Sequence, residues 1–125
     1  MGTLLQQQKD IGANAALKGF WEAHENMPPD FAALYIKLSL VASEVGEAVD
    51  AMRLLNTDMD LASQVKQELL QYRGDEKPEG VASEMADIII RVLDAAEWLG
   101  INMEFVMEYK AAYNQTREAM HGKSS

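Results

Sequence analysis

Two long apolar stripes, each carrying an acidic step, constrain this chain more than any other feature. Leu34, Leu38, Val41, Val45, Ala48 or Val49, and Met52 follow one another at alternating four- and three-residue steps. Val81, Met85, Ile88, Val92, Ala96 and Leu99 repeat the pattern further along. That period gives an α-helix one apolar side, and such a helix is stable only when another element covers that side. Ser43-Glu44-Val45-Gly46-Glu47 rides on the first helix, flanking its stripe, and Ser83-Glu84-Met85-Ala86-Asp87 rides on the second. Residues at i and i+3 are neighbours on a helix, separated by about 4.5 Å along its axis. Two such helices side by side would gather Glu44, Glu47, Glu84 and Asp87 around one small space suited to divalent cations.

The remaining chain reads as helix and connection. Leu4, Leu5, Ile11, Ala15, Ala16, Phe20 and Trp21 recur at helical spacings over residues 4–24, before Pro28-Pro29 forbids continuation. Asp30 caps a helix over 31–55. A short helix fits within 60–72, through Leu61, Val65, Leu69 and Tyr72, and a polar, turn-rich connection follows. A link this long is more than a plain loop, so a structural or lid role is expected of it. The next helix covers 79–99 and stops at Gly100; Asn102 caps the last, over 103–119, with Phe105, Val106, Tyr109, Ala112, Tyr113 and Thr116 on its inner side. Nothing reads as strand. The expected fold is all-α, a helical bundle of four main helices with a short fifth, in a single domain over 1–125.

Composition narrows the function. Acids outnumber bases 20 to 11, for a net charge of −9, which argues against coating a nucleic-acid polymer, a task that needs Lys and Arg to neutralise phosphates. Cysteine is absent, so disulfides and thiolate metal sites are excluded and a reducing, cytoplasmic setting is expected. No stretch approaches the roughly 20 apolar residues needed to cross a bilayer, and no leader is evident, so no membrane is expected. Eight methionines serve helix packing.

Neither acidic step contains histidine, and the sole Glu-x-x-His, Glu118 with His121, falls at the end of the last helix. Di-iron bundles use such Glu-x-x-His steps, whereas all-oxygen donors favour hard cations. Magnesium fits best, with manganese as its substitute. Like charges about 5 Å apart repel by roughly 3 kcal/mol at an effective dielectric of 20. Four acids therefore either diverge into solvent or hold metal. Lys110, Asn114, Arg117 and His121 form one stripe on the last helix, at i, i+4, i+7 and i+11. This is either a solvated basic face or a set of donors for a polyphosphate.

Taken together, Glu44-x-x-Glu47, the run Glu79-Gly80-Val81-Ala82-Ser83-Glu84-Met85-Ala86-Asp87-Ile88, and the closing Lys110-x-x-Tyr113-Asn114-x-x-Arg117-x-x-x-His121-Gly122-Lys123 resemble the MazG-like all-alpha nucleoside triphosphate pyrophosphatases, a superfamily with dCTP- and dUTP-cleaving members. The resemblance spans residues 30–123. It implies hydrolysis of a (deoxy)nucleoside triphosphate to the monophosphate and pyrophosphate. Glu44, Glu47, Glu84 and Asp87 would be the magnesium ligands and catalytic carboxylates, one of the first pair orienting or deprotonating water. Lys110 and Arg117, with His121 in the same signature, would meet phosphates, and Asn114 the sugar or phosphates. A homodimer or homotetramer with sites near subunit contacts would complete the bundle. Residues 56–80 make the spacing from Glu47 to Glu84 longer than in compact members. Arg91, one turn beyond Asp87, either contacts a phosphate or pairs with Asp87 or Asp94. Trp21 and His24 precede the first acidic helix where family members place base-contacting groups, against a plain core or surface role. Trp98 reads as core or interface. The alternatives to such an enzyme are a non-catalytic acidic helical oligomer, or a relative acting on a non-standard nucleotide.

Overall fold

The computed structural model describes residues 2–17 and 29–121, with side chains in the last helix described as far as Arg117. Trp21 and His24 lie outside the described residues. Five helices follow in chain order: α1 (Leu4–Leu17), α2 (Phe31–Arg53), α3 (Leu61–Leu69), α4 (Val81–Leu99) and α5 (Met103–His121). No strand occurs among the described residues. The fold is all-α, as the two periodic stripes require.

Local chemistry sets the helix ends. The Asp30 carboxylate accepts a hydrogen bond from the Ala33 amide at 2.7 Å, and Asp60 caps α3 through the Ser63 amide at 2.9 Å. Asn102 accepts from the Phe105 amide at 3.1 Å to start α5. Gly100 closes α4 in the left-handed region, φ 78°, where a side chain would be strained. The short helix ends at Leu69, before the expected Tyr72, because Leu70 to Tyr72 turn back towards the loop.

α4 is the hub. It packs most extensively on α2, then on α1, and also on α3, while α5 lies against α1. The buried apolar residues sit where α1 and α2 meet α4: Ala15, Ala33, Leu93, Ala95, Ala96 and Trp98. Trp98 is therefore core. Lys37 and Asp94 form a 3.0 Å ion pair beside it, with the Lys37 ammonium 5.3 Å from the centre of a Trp98 ring. Such a cation over an aromatic face is favourable where water is scarce.

α2 turns a different side inward from the one read off its apolar stripe. Leu34, Lys37, Val41, Glu44, Ala48, Ala51 and Leu55 are its half-buried positions, whereas Leu38, Val45, Val49 and Met52 are exposed. Two apolar stripes overlap on this helix. The one that includes Lys37 and Glu44 faces α4 because α4 offers both charges a partner, Asp94 and Arg91. Glu44 thus lies within the packed seam instead of flanking it. The other stripe is Phe31, Tyr35, Leu38, Ala42, Val45, Val49 and Met52, again at alternating four- and three-residue steps, and it is left uncovered. The expected inner side of α5 is also exposed in the single chain, Tyr109 at 70%.

Gln8, 1% exposed, is the one buried polar residue among those described. Its amide donates to Glu97 Oε1 at 3.0 Å and to the Ile101 carbonyl at 2.6 Å, and its Oε1 accepts from the Met103 amide at 3.2 Å. One side chain therefore ties α1 to the end of α4, the turn and the start of α5. Removing it strands those groups, and a buried unsatisfied group costs about 1–3 kcal/mol. Gln8→Ala is expected to lower unfolding free energy by about 2 kcal/mol or more in urea titration; an unchanged midpoint would show that the network contributes nothing.

Candidate metal centre

Because α2 and α4 lie side by side, the two acidic steps meet. Glu44, Glu47 and Glu84 each offer a carboxylate oxygen, and these atoms all lie within 4.8 Å of one another. Asp87 lines the same cleft one turn further along α4, outside that trio. Three of the four expected ligands are thus gathered and the fourth stands beside them.

The cluster is not simply solvated. The Glu44 side chain is 13% exposed, and Glu44 Oε2 and Glu84 Oε2 are buried without a hydrogen-bond partner. An ionised carboxylate only accepts hydrogen bonds, so two neighbouring ones satisfy each other only by sharing a proton. Glu47, on the open side, feels this most. The charge of Glu44 raises its pKa above the ordinary 4.5, as does a shared hydrogen bond with Glu44, and Glu84 and Asp87 push the same way. Arg91 Nε lies 3.3 Å from Glu44 Oε1 and offsets part of the charge. Its partner is therefore Glu44, and not Asp87 or Asp94, since Asp94 is taken by Lys37.

Oxygen donors alone, two of them buried and unpaired, at spacings that a single ion can bridge, could serve as a donor set for a hard divalent cation. Buried carboxylate oxygens without partners are costly, and a cation supplies what they lack. Glu44, Glu47 and Glu84 could hold it, with Asp87 beside them in the same cleft.

The cluster forms one wall of an open cleft of about 1080 Å³. The opposite wall comes from α3 and the connection before α4, through Gln67, Glu68, Gln71 and residues 76–80. That wall is held in place. Glu68 Oε1 accepts from the Val81 amide at 3.0 Å, the Tyr72 hydroxyl donates to the Glu79 carbonyl at 3.2 Å, and the Ser83 hydroxyl donates to the Pro78 carbonyl at 3.2 Å. Gly80, at φ 101°, makes the close approach possible, because a Cβ there would run into the Glu68 carboxylate. A smaller pocket of about 380 Å³ shares Glu44 and Asp87 and is otherwise lined by Ile11, Asn14, Ala15, Ile90, Arg91 and Asp94.

Lys110 and Asn114 are exposed and Arg117 half-buried on α5; none of the three lines either cavity of its own chain. His121 ends α5, and its side chain lies outside the described set. Sequence reading missed Asp50 and the α3 wall. Asp50 had a signal, since it extends the acidic step by three more residues from Glu47. The wall had none, being built by tertiary hydrogen bonds. No family model, no curated protein and no solved structure matches the chain.

The shifted carboxyl has a thermodynamic consequence. With its pKa raised on folding, Glu47 binds its proton more tightly in the native state than in the unfolded chain. Its contribution to stability is fully present below about pH 4.5 and is lost as pH rises through the folded value. Glu47→Gln is therefore expected to be more stable than the parent at pH 7 without added metal, the gap closing below pH 4.5. Denaturant unfolding of both proteins across pH checks this; a variant no more stable at pH 7 would contradict it.

Proposed function

We propose that this chain is a magnesium-dependent nucleoside triphosphate pyrophosphohydrolase of the MazG-like kind, releasing the monophosphate and pyrophosphate. One observation carries the reading: three carboxylates from two helices meet within 4.8 Å, two of their oxygens buried and unpaired. The acidic charge balance and the absence of thiolate or imidazole donors at the cluster support magnesium, with manganese as its substitute. When bound, such an ion neutralises charge collecting on the departing pyrophosphate and makes water a better nucleophile at neutral pH.

In this reading Glu44, Glu47 and Glu84 hold the ion and Asp87 completes the set. One carboxylate of the first pair, Glu44 or Glu47, orients the attacking water or takes its proton. Water attacks the α-phosphorus, the bond from that phosphorus to the bridging oxygen breaks, and pyrophosphate leaves with the electron pair. The polyphosphate lies in the large cleft. The smaller pocket, separated from it by Glu44 and Asp87, has room for the nucleoside and presents Asn14 and Arg91 as polar contacts.

A homodimer or homotetramer belongs to the same proposal. The uncovered stripe from Phe31 to Met52 has the spacing of a helix–helix seam, and α5 carries Phe105, Tyr109 and Tyr113 on its open surface. A second copy covering these faces would bring Lys110, Asn114, Arg117 and His121 towards a neighbour's cleft, where they meet phosphates. No helix of the described residues is long and apolar enough to cross a membrane, and the cysteine-free composition suits a cytoplasmic enzyme.

Incubation with each common (deoxy)nucleoside triphosphate in magnesium, with both products identified, tests the reading. Monophosphate and pyrophosphate are expected in equal amounts from at least one substrate. Glu84→Gln is expected to lower kcat/KM by about a hundredfold or more, the scale on which loss of a partner to transition-state charge acts. Release of phosphate in place of pyrophosphate would overturn the α–β cleavage. No turnover of any nucleotide by an oligomeric protein would favour a non-catalytic helical assembly.

A further inference from the structure

The cleft is acidic out of proportion to what an ion needs. Eight of the described residues lining it are Asp or Glu, and a single one, Lys77, is basic. A polyphosphate entering this space meets carboxylates from both walls, and an ion at the Glu44–Glu47–Glu84 cluster compensates only the inner one. Charge at the outer wall has to come from elsewhere. Lys77 has no ion-pair partner among the described residues, although Glu76 and Glu79 flank it in sequence.

Its backbone is nonetheless fixed. The next residue, Pro78, has its carbonyl held by the Ser83 hydroxyl of α4, and the carbonyl of Glu79 is held by the Tyr72 hydroxyl after α3. A residue before proline is also confined to extended backbone. Lys77 thus lines the same cleft as the carboxylate cluster, next to backbone held by two hydrogen bonds, and no ion pair among the described residues engages its ammonium. A flexible, compact cation in that place is well suited to following phosphate oxygens that shift as a bond breaks.

The geometry points to Lys77 as a substrate-binding residue for the terminal phosphates. This makes the connection between α3 and α4 the outer half of the polyphosphate site, and not a mere link between helices. The inference rests on the pyrophosphohydrolase reading above and adds a residue that the acidic and basic sequence motifs do not contain.

The test compares wild type, Lys77→Met and Lys77→Arg in two measurements: steady-state kinetics on the best substrate, and calorimetric binding of inorganic pyrophosphate in magnesium. Because Lys77 is exposed, all three proteins are expected to unfold at the same temperature. Lys77→Met is expected to raise KM and weaken pyrophosphate binding by roughly tenfold, the scale of one charge-assisted hydrogen bond, with kcat changed far less. Lys77→Arg is expected to recover most of both losses, and magnesium affinity is expected to stay the same. KM and pyrophosphate affinity within twofold of wild type in Lys77→Met, while wild type turns over normally, would overturn the role of Lys77 and leave the enzyme reading standing. A wild type that neither cleaves any triphosphate nor binds pyrophosphate would overturn both.

Discussion

The seam between α2 and α4 sets the terms for the rest of the molecule. Apolar and small side chains along it hold two helices together, and in doing so force Glu44, Glu47 and Glu84 into one another's fields. Packing supplies the attraction and the carboxylates oppose it. Without a cation the opposition falls on Glu47, which answers by holding its proton more tightly, and on buried oxygens of Glu44 and Glu84 that have nothing to accept from. Arg91 relieves only Glu44, from one side. A site arranged in this way stores an affinity for positive charge in the fold itself.

Two further devices keep the seam in register. Gln8 joins α1 to both sides of the turn between α4 and α5, so the far end of α4 is fixed by buried hydrogen bonds. At the near end the α3 wall is fastened by Glu68, Tyr72 and Ser83. The cluster lies between these anchors. The single chain nevertheless leaves one whole apolar stripe of α2 and most of α5 uncovered, and a small core of this kind is what an oligomer would complete.

Helix type and position were legible in the sequence because each depends on local chemistry. The apolar period, the caps at Asp30 and Asn102 and the stop at Gly100 all act within a turn or two, and all are present as read. The face that α2 turns inward was not legible. Leu34, Val41 and Ala48 belong both to the stripe read from the sequence and to the side turned inward; whether Leu38 and Val45 or Lys37 and Glu44 go in with them depends on what α4 presents, Asp94 and Arg91, some fifty residues away. The acidic steps could be placed on two helices from spacing alone, and their meeting follows once those helices pack. Asp87 lines the same cleft outside the trio, one turn further along α4. The α3 wall, and with it Lys77, was illegible for a plain reason: its position is set by three side-chain-to-backbone hydrogen bonds across an irregular connection, none of which leaves a periodic trace.

The most direct measurement is uptake of manganese, followed by the electron paramagnetic resonance signal of the free ion, in wild type and in Glu84→Gln. Manganese shares magnesium's preference for oxygen donors and reports its own binding. Saturable uptake by wild type, displaced by magnesium and lost or greatly weakened in Glu84→Gln, is the expected result. No saturable uptake by wild type, or equal uptake by both proteins, would contradict a cation site built from the carboxylates of α2 and α4.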